Sequence, residues 1–297
     1  MVQRGSGEAV EIGDWAATAD LNDIYREIRS LGLESNLAEL EAFGFTVIPD
    51  ALSPALTKEL KEAVLRVSEE WTGRSLDPDN ETDYEGMRFV PFLLFKDPVF
   101  KRSVLNPGPL ALVTYLLGRH CVLSSLGCHL KGPGGPGLLL HSDQSNGLPQ
   151  PFPAASQTAN CNYALTDYSE EDGALAMVPG SHRHLRQPTR WEVGLEGERR
   201  NRGVIPVEVP AGSAIVWHGA TWHGSFPRRR PGLRINLSNF FSRPHLMPQE
   251  LYRDHVPEGY LDGEDPRLGR LLGADLGYGW TDEGPTKPFA PQHSWHA

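Results

Sequence analysis

The 297-residue chain holds only three cysteines, Cys121, Cys128 and Cys161, an odd number at spacings that match no zinc pattern. That excludes a disulfide-stapled scaffold and points to reduced thiols buried as small apolar residues, the state expected in a cytoplasm. Long apolar runs are missing as well. No window approaches the roughly eighteen residues of a membrane-crossing helix, and the opening MVQRGSGEAVEIGDW lacks the apolar stretch of a signal peptide. Nor is there an excess of positive charge: 28 Lys and Arg stand against 38 Asp and Glu, a formal net charge of −10 that disfavours nucleic acid or a membrane surface as partner. The one basic run, Arg228 to Arg230, reads as a solvated turn. There is no internal repeat and no low-complexity tract, and nothing in the pattern sets an oligomeric state.

Glycine and proline, by contrast, are plentiful. Gly 31 and Pro 25 are scattered along the chain, which makes it turn-rich and so β-rich. The length suits a single domain over residues 1–297, with a largely helical part from about 20 to 118, a β core from about 119 to 242, and a wrap or lid over 243–297. Within 20–45, Ile24, Ile28, Leu31, then Leu37 and Leu40, recur at helical spacing and predict two short helices ending at Gly44. FTVIPDAL reads as a strand. SPALTKELKEAVLRVSEEW opens with a Ser cap and Pro at the first helical position, and Leu56, Leu60, Val64 and Val67 line one face. LALVTYLLG, at about 110–118, reads as a further helix. After about 120 come eight short apolar or alternating runs, from CVLSSLGCHLK to LRINLSNFF, a sandwich or jelly-roll texture. The Pro-rich NGLPQPFPAASQT between two of these runs is a lid candidate by position.

LLLHSDQS carries His141 and Asp143 two residues apart at the end of an apolar strand, so alternation sends both side chains off one face. They are half of a metal site. A 2-His-1-carboxylate centre, which leaves one side of iron open, needs a second histidine from another strand; alone, His-x-Asp fits a surface turn equally well. The segment WHGATWHGSFPRRRPGLRINLSNFF, from Trp217, supplies His218 and His223, each followed eleven residues later by an arginine, Arg229 or Arg234. Iron that works with a 2-oxo acid needs the metal at one end of the acid and a fixed guanidinium at its distal carboxylate. Ligand and arginine should therefore stand on neighbouring strands of one barrel. Arg229 lies in PRRRPG, poor strand material, whereas Arg234 opens RINLSNF, whose alternation puts Arg234, Asn236 and Ser238 on one face and Ile235, Leu237 and Asn239 on the other. His223 pairs with Arg234, and His218 ends the strand SAIVWHG, packing or lining the mouth.

These residues resemble the phytanoyl-CoA dioxygenase family of iron(II)/2-oxoglutarate oxygenases: HSD at 141–143, and HGS at 223–225 with Arg234 beyond it. ALTDYSEEDGALAMVPGSHR is similar to the family's strand-turn-strand ending in Pro-Gly-Ser-His, and LEAFGFTVIPDALSP to its N-terminal strand and helix. The likeness spans about residues 38–242. It implies a mainly β fold with flanking helices around a double-stranded β-helix core of the jelly-roll or cupin-like kind. It also implies Fe(II) held by His141, Asp143 and His223, and the distal carboxylate of 2-oxoglutarate held by Arg234 with Ser225. A further polar contact from a neighbouring strand is implied, for which Lys131, His129 and Asn162 are candidates; the plainer readings are a strand end for the first two and a wall amide for Asn162.

The same likeness makes the corner of His182 and His184 structural. Phe89, Phe92, Phe95, Trp217 and Trp222 could line an apolar pocket or simply fill core. The implied activity couples O2 and 2-oxoglutarate to oxidation of a C–H bond, hydroxylation by default. Related halogenases carry a small residue where this chain has Asp143, so oxygenation or desaturation is favoured. Ring formation, endoperoxide chemistry, a non-catalytic binding protein and a zinc hydrolase stay open, although the last leaves Arg234 without a task. The expected substrate is a small, hydrophobic metabolite or natural-product intermediate, with an acyl thioester as the alternative.

Overall fold

Apolar residues three and four apart set the first helices of the computed structural model, which describes residues 2–3, 9–10, 19–82, 87–145, 147–273, 280–281 and 284–285. The reading of the first fifteen residues and the last part of the expected C-terminal wrap fall largely outside these. Helix α1, Ala19–Ser30, buries Ile24 and Ile28, and α2, Glu34–Phe43, buries Leu40. Gly44 ends α2 at φ 82°, and a Cβ there would run into the His182 and Thr221 side chains, so both backbone and space require glycine. Strand β1 is Phe45–Ile48. Helix α3, Pro54–Thr72, starts where the Ser53 hydroxyl accepts from the Leu56 amide at 3.2 Å, a cap of about 1 kcal/mol, and buries Leu60, Val64 and Val67. Helix α5, Pro107–Leu117, is apolar nearly all round and accordingly buried.

Two elements were not legible: strand β2, Met87–Val90, and helix α4, Val99–Val104. All eight later runs form strands: β3 Val122–Lys131, β4 Leu138–His141, β5 Thr158–Ala164, β6 Leu175–Met177, β7 Ile205–Val207, β8 Ala214–His218, β9 His223–Ser225 and β10 Arg234–Ser242. They make a six-stranded sheet, β1-β8-β5-β10-β3-β2, and a four-stranded sheet, β4-β9-β6-β7, antiparallel throughout. Apart from β6 to β7, each strand from β4 to β10 lies in the opposite sheet from its predecessor. That alternation is the jelly roll, the double-stranded β-helix expected from the sequence.

The two faces of the large sheet bury different things. One core joins the helical residues Ile24, Leu60, Val64 and Leu112 to Leu123, Cys128, Cys161, Ile235 and Leu237 of the sheet, and runs on to Leu268 and Leu272 of the C-terminal segment. All three cysteines are buried and unpaired. The other face looks across a cavity toward the small sheet, beside a second core of Leu175, Met177, Ile215 and Trp217. After β10 the chain returns over the helical side: Glu250 accepts from the Phe92 and Leu126 amides, Tyr252 stacks on Phe92, and α6, Pro266–Leu271, places Arg267 against Thr114 of α5. Among the described residues no helix is long and apolar enough to cross a membrane.

Candidate active site

His223 stands opposite His141 in the β9–β4 register, so both imidazoles enter the cavity side by side, ring centroids 4.3 Å apart. Asp143 joins them, but not by strand alternation. Strand β4 ends at His141, and Asp143 opens a 3-10 turn. The intervening Ser142 aims it. The Ser142 hydroxyl donates to the Gly219 carbonyl at 3.0 Å, while its backbone N–H and C=O are both taken by the Gln187 side-chain amide, at 2.9 and 2.6 Å. Asp143 Oδ1 lies 3.5 Å from His141 Nε2 and Oδ2 3.3 Å from His223 Nε2, and one ligand atom from each of the three residues falls within 4.8 Å of the others.

The Nδ1 of each ring faces a backbone carbonyl, Leu139 at 2.9 Å and Thr221 at 3.0 Å, which fixes the tautomer with a proton on Nδ1 and a lone pair on Nε2. Burial pushes His223 down to about 4, so it is neutral at physiological pH. Burial alone would raise Asp143, yet the two imidazoles and the Asn160 amide, donating at 2.6 Å from β5, hold it at about 2. His141 keeps its proton to a higher pH than usual: burial opposes the charge, but the hydrogen bond and charge of Asp143 outweigh it. Once His141 has lost its proton, two imidazoles and a carboxylate on one side of a cavity are a donor set suited to Fe(II).

Arg234 lines the same cavity from the first position of β10. It is 1% exposed, its Nε and Nη1 have no partner, and among the described residues no ion pair reaches it; only the Tyr168 ring lies under it, 5.2 Å away. A buried guanidinium left without an anion costs several kcal/mol, and among the described residues no carboxylate meets this one. Ser225 lines the cavity too, on β9. Its oxygen accepts from Lys131 Nζ at 2.8 Å, which leaves the hydroxyl proton free to donate. Lys131 itself stands behind Ser225 and does not line the cavity. Burial, then the Arg234 charge, pull it down to about 7. Asn162 faces the cavity with its Oδ1 unpartnered. His129 is also in the wall under Phe89, ring centroids 4.8 Å apart, and is held neutral by burial, at about 4.

Several expectations are corrected. His223 and Arg234 stand on the successive strands β9 and β10 of one barrel, but these strands are not paired; they belong to opposite sheets and approach across the cavity. The basic run is only in part the expected solvated turn: Arg229 and Arg230 are exposed and meet Glu196 and Glu171, but Arg228, its side chain 9% exposed, binds the Asp172 carboxylate and the Pro231 and Gly232 carbonyls. The described residues of the Pro-rich loop do not line the cavity. They are pinned by Phe152 N–H to Leu185 and by the Gln144 side chain to Pro153 and Gln157. Phe92, Phe95 and Trp222 are core, leaving Phe89 and Trp217 in the wall. His218 ends β8 and packs on His182, 5.4 Å away, while His184 lies on Trp222; neither corner histidine approaches the triad. Asn160, Gln187, Ser125 and Gln249 escaped the sequence reading, because lone amides and hydroxyls carry no spacing signal.

The model of the phytanoyl-CoA dioxygenase (PhyH) family matches residues 40–236. The chain belongs to that family. It is an Fe(II)/2-oxoglutarate-dependent dioxygenase. Dioxygenase af480 of Aspergillus fumigatus is 29% identical over 264 residues, 86% of this PhyH-family chain and 82% of af480. HygX from Streptomyces hygroscopicus, solved with nickel and 2-oxoglutarate bound, shares the fold with a TM-score of 0.59 at 20% identity, over 72% of this chain and 88% of HygX. SnoN, a non-heme alpha ketoglutarate dependent epimerase from nogalamycin biosynthesis, gives 0.53 at 21% over 72% and 84%.

Proposed function

We propose that this PhyH-family enzyme binds Fe(II) through His141, Asp143 and His223, holds the distal carboxylate of 2-oxoglutarate with Arg234 and Ser225, and hydroxylates a C–H bond of a small, largely apolar metabolite. The observation that carries the co-substrate site is Arg234: a buried, unpartnered guanidinium sharing a cavity of about 260 Å³ with the triad. When bound, Fe(II) and 2-oxoglutarate supply the O2 activation and C–H oxidation. The chain's own part is to present two neutral imidazole nitrogens and one carboxylate oxygen, with Asn160 holding Asp143 and the Leu139 and Thr221 carbonyls orienting the rings. Arg234 and the Ser225 hydroxyl bind the far carboxylate, Lys131 turns the serine proton toward it, and Asn162 is the further polar contact.

A small-molecule substrate is supported by the neighbours, HygX having been solved with hygromycin B and SnoN with nogalamycin RO. Part of the same reading is a single functional unit over residues 1–297, supported by the core that runs from Ile24 to Leu272. A reducing, cytoplasmic setting completes it, supported by the three unpaired cysteines. The test is succinate release from 2-oxoglutarate by iron-loaded protein in air, comparing wild type with His223→Ala, His218→Ala and Arg234→Ala. Turnover should vanish in the first, persist in the second, and require far more 2-oxoglutarate in the third. Persistence in His223→Ala sinks the ligand assignment.

A further inference from the structure

The cavity is longer than its co-substrate. On β10, Arg234 marks one end of the wall and Phe240 the other, six residues or roughly 20 Å along the strand. An extended five-carbon diacid covers about a third of that, with C–C bonds of ~1.5 Å. The Phe240 end therefore faces something else. There, Ser125 of β3, in register with Phe240, donates from its hydroxyl to Gln249 Oε1 at 2.9 Å. Gln249 belongs to the C-terminal segment, and its placement is built: its own N–H donates to the Ser124 hydroxyl at 3.0 Å and the next N–H, of Glu250, to the Ser124 carbonyl at 2.8 Å. Glu250, itself buried, accepts from Phe92 N, Leu126 N and the Tyr252 hydroxyl. Gln249 is itself exposed, and this clamp leaves its NH2 without a protein partner among the described residues, open to solvent where Gln249 lines the cavity.

The surroundings restrict what that NH2 can meet. Gly127 has no side chain because the Phe89 ring lies where a Cβ would stand, and the ring is thereby laid along the wall against His129. Phe89 and Leu138, both partly exposed, give the mouth apolar sides. Among the described residues, the lining beyond the triad and Arg234 holds no fixed charge, and the nearby arginines 228–230 are each committed to a carboxylate. Among the described lining residues no free cation is offered to the phosphates of a coenzyme A thioester.

From this geometry we infer that Gln249, seated by Ser125 and the Glu250 clamp, is the group that orients the substrate, and that the substrate is uncharged: an apolar ring or chain system carrying a hydroxyl or carbonyl oxygen that accepts from the Gln249 amide. The inference rests on the dioxygenase reading above and separates it from the acyl-thioester alternative.

The experiment is anaerobic binding to Fe(II)/2-oxoglutarate-loaded protein, with trans-decalone, decalol, decalin, decalin carboxylate and octanoyl-CoA as probes and Trp217 fluorescence with thermal shift as readouts. Decalone should bind roughly fivefold to tenfold tighter than decalin, the margin of one neutral hydrogen bond, and the carboxylate and the thioester more weakly than either. Gln249→Leu should erase the decalone advantage while the 2-oxoglutarate affinity stays. Gln249→Glu, which keeps the shape but loses the N–H, should shift the preference from decalone to decalol, a reversal that a merely structural role would not produce. Equal binding of decalone and decalin by wild type, preference for octanoyl-CoA or the carboxylate, or an unchanged order in both variants overturns the inference. Failure of wild type to bind 2-oxoglutarate instead overturns the underlying assignment of Arg234.

Discussion

The large sheet and the small sheet build their halves of the active site by different means. The large one works by register: β10 pairs along its whole length with β3 and from Asn236 on with β5, so Arg234, Asn236 and Ser238 face the cavity while Ile235 and Leu237 are locked into the helix-side core. Side chains there are aimed by a long ladder and many buried neighbours. The small sheet has strands of three and four residues, and its three candidate ligands sit at strand ends and in a turn. They are aimed by individual hydrogen bonds, from Ser142, Gln187, Leu139 and Thr221. Position along a ladder is robust to single changes, whereas a ligand held by two or three hydrogen bonds is not.

The widest separation of the two halves should come from Asp143→Ala against Arg234→Leu. The first should abolish measurable Fe(II) binding in an anaerobic titration. The second should leave Fe(II) affinity within about twofold and weaken 2-oxoglutarate by about a hundredfold, the worth of a charge-assisted pair in a buried setting. If Arg234→Leu also loses iron, the two sheets do not act separately. Next in size is the turn: Ser142→Ala or Gln187→Leu should lower Fe(II) affinity by roughly 10- to 100-fold without touching a ligand, as expected for groups that orient one.

On the large sheet, Gly127→Ala forces a Cβ into the Phe89 ring and close to the Val90 carbonyl, 2.9 Å away. It should cost about 1–3 kcal/mol in denaturant unfolding with Fe(II) affinity unaltered. The smallest effect is on pH. Iron needs a neutral His141, whose proton is held to a higher pH than usual, so affinity should fall by about tenfold per unit as pH drops below His141's raised pKa, with uptake of about one proton. His223, pushed to about 4, should not compete in that range. A second proton taken up near neutrality would mean that His223 is not the buried neutral ligand described.

The two halves were also unequally legible. Alternation in RINLSNF gave the facing of β10, and the choice of Arg234 over Arg229 followed from the prolines around the latter; in the structure Arg234 lines the cavity and Arg229 is an exposed partner of Glu196. Helix caps at Ser53 and Gly44 were readable because they are local. The same alternation misled at LLLHSDQS, where the strand stops at His141, two residues short of Asp143, and a turn takes over. It also could not tell that His223 and Arg234 belong to opposite sheets, since adjacency in sequence is silent about which sheet a strand joins. The role of Arg228 was missed because Asp172, its partner, is 56 residues away.

The sequence by itself carried the β texture, the family resemblance that implies the class of chemistry, and the candidate residues: eight short runs, a His-x-Asp, and a histidine eleven residues before a strand-borne arginine. These are properties of local spacing, and backbone periodicity turns spacing into direction. Only the tertiary structure decided what meets across the cavity: Asn160 on Asp143, Lys131 behind Ser225, and Gln249 brought from the C-terminal segment to Ser125. Those contacts join residues from 17 to 124 positions apart, through amides, hydroxyls and an amine that carry no periodic signature, and folding alone brings them within hydrogen-bond reach.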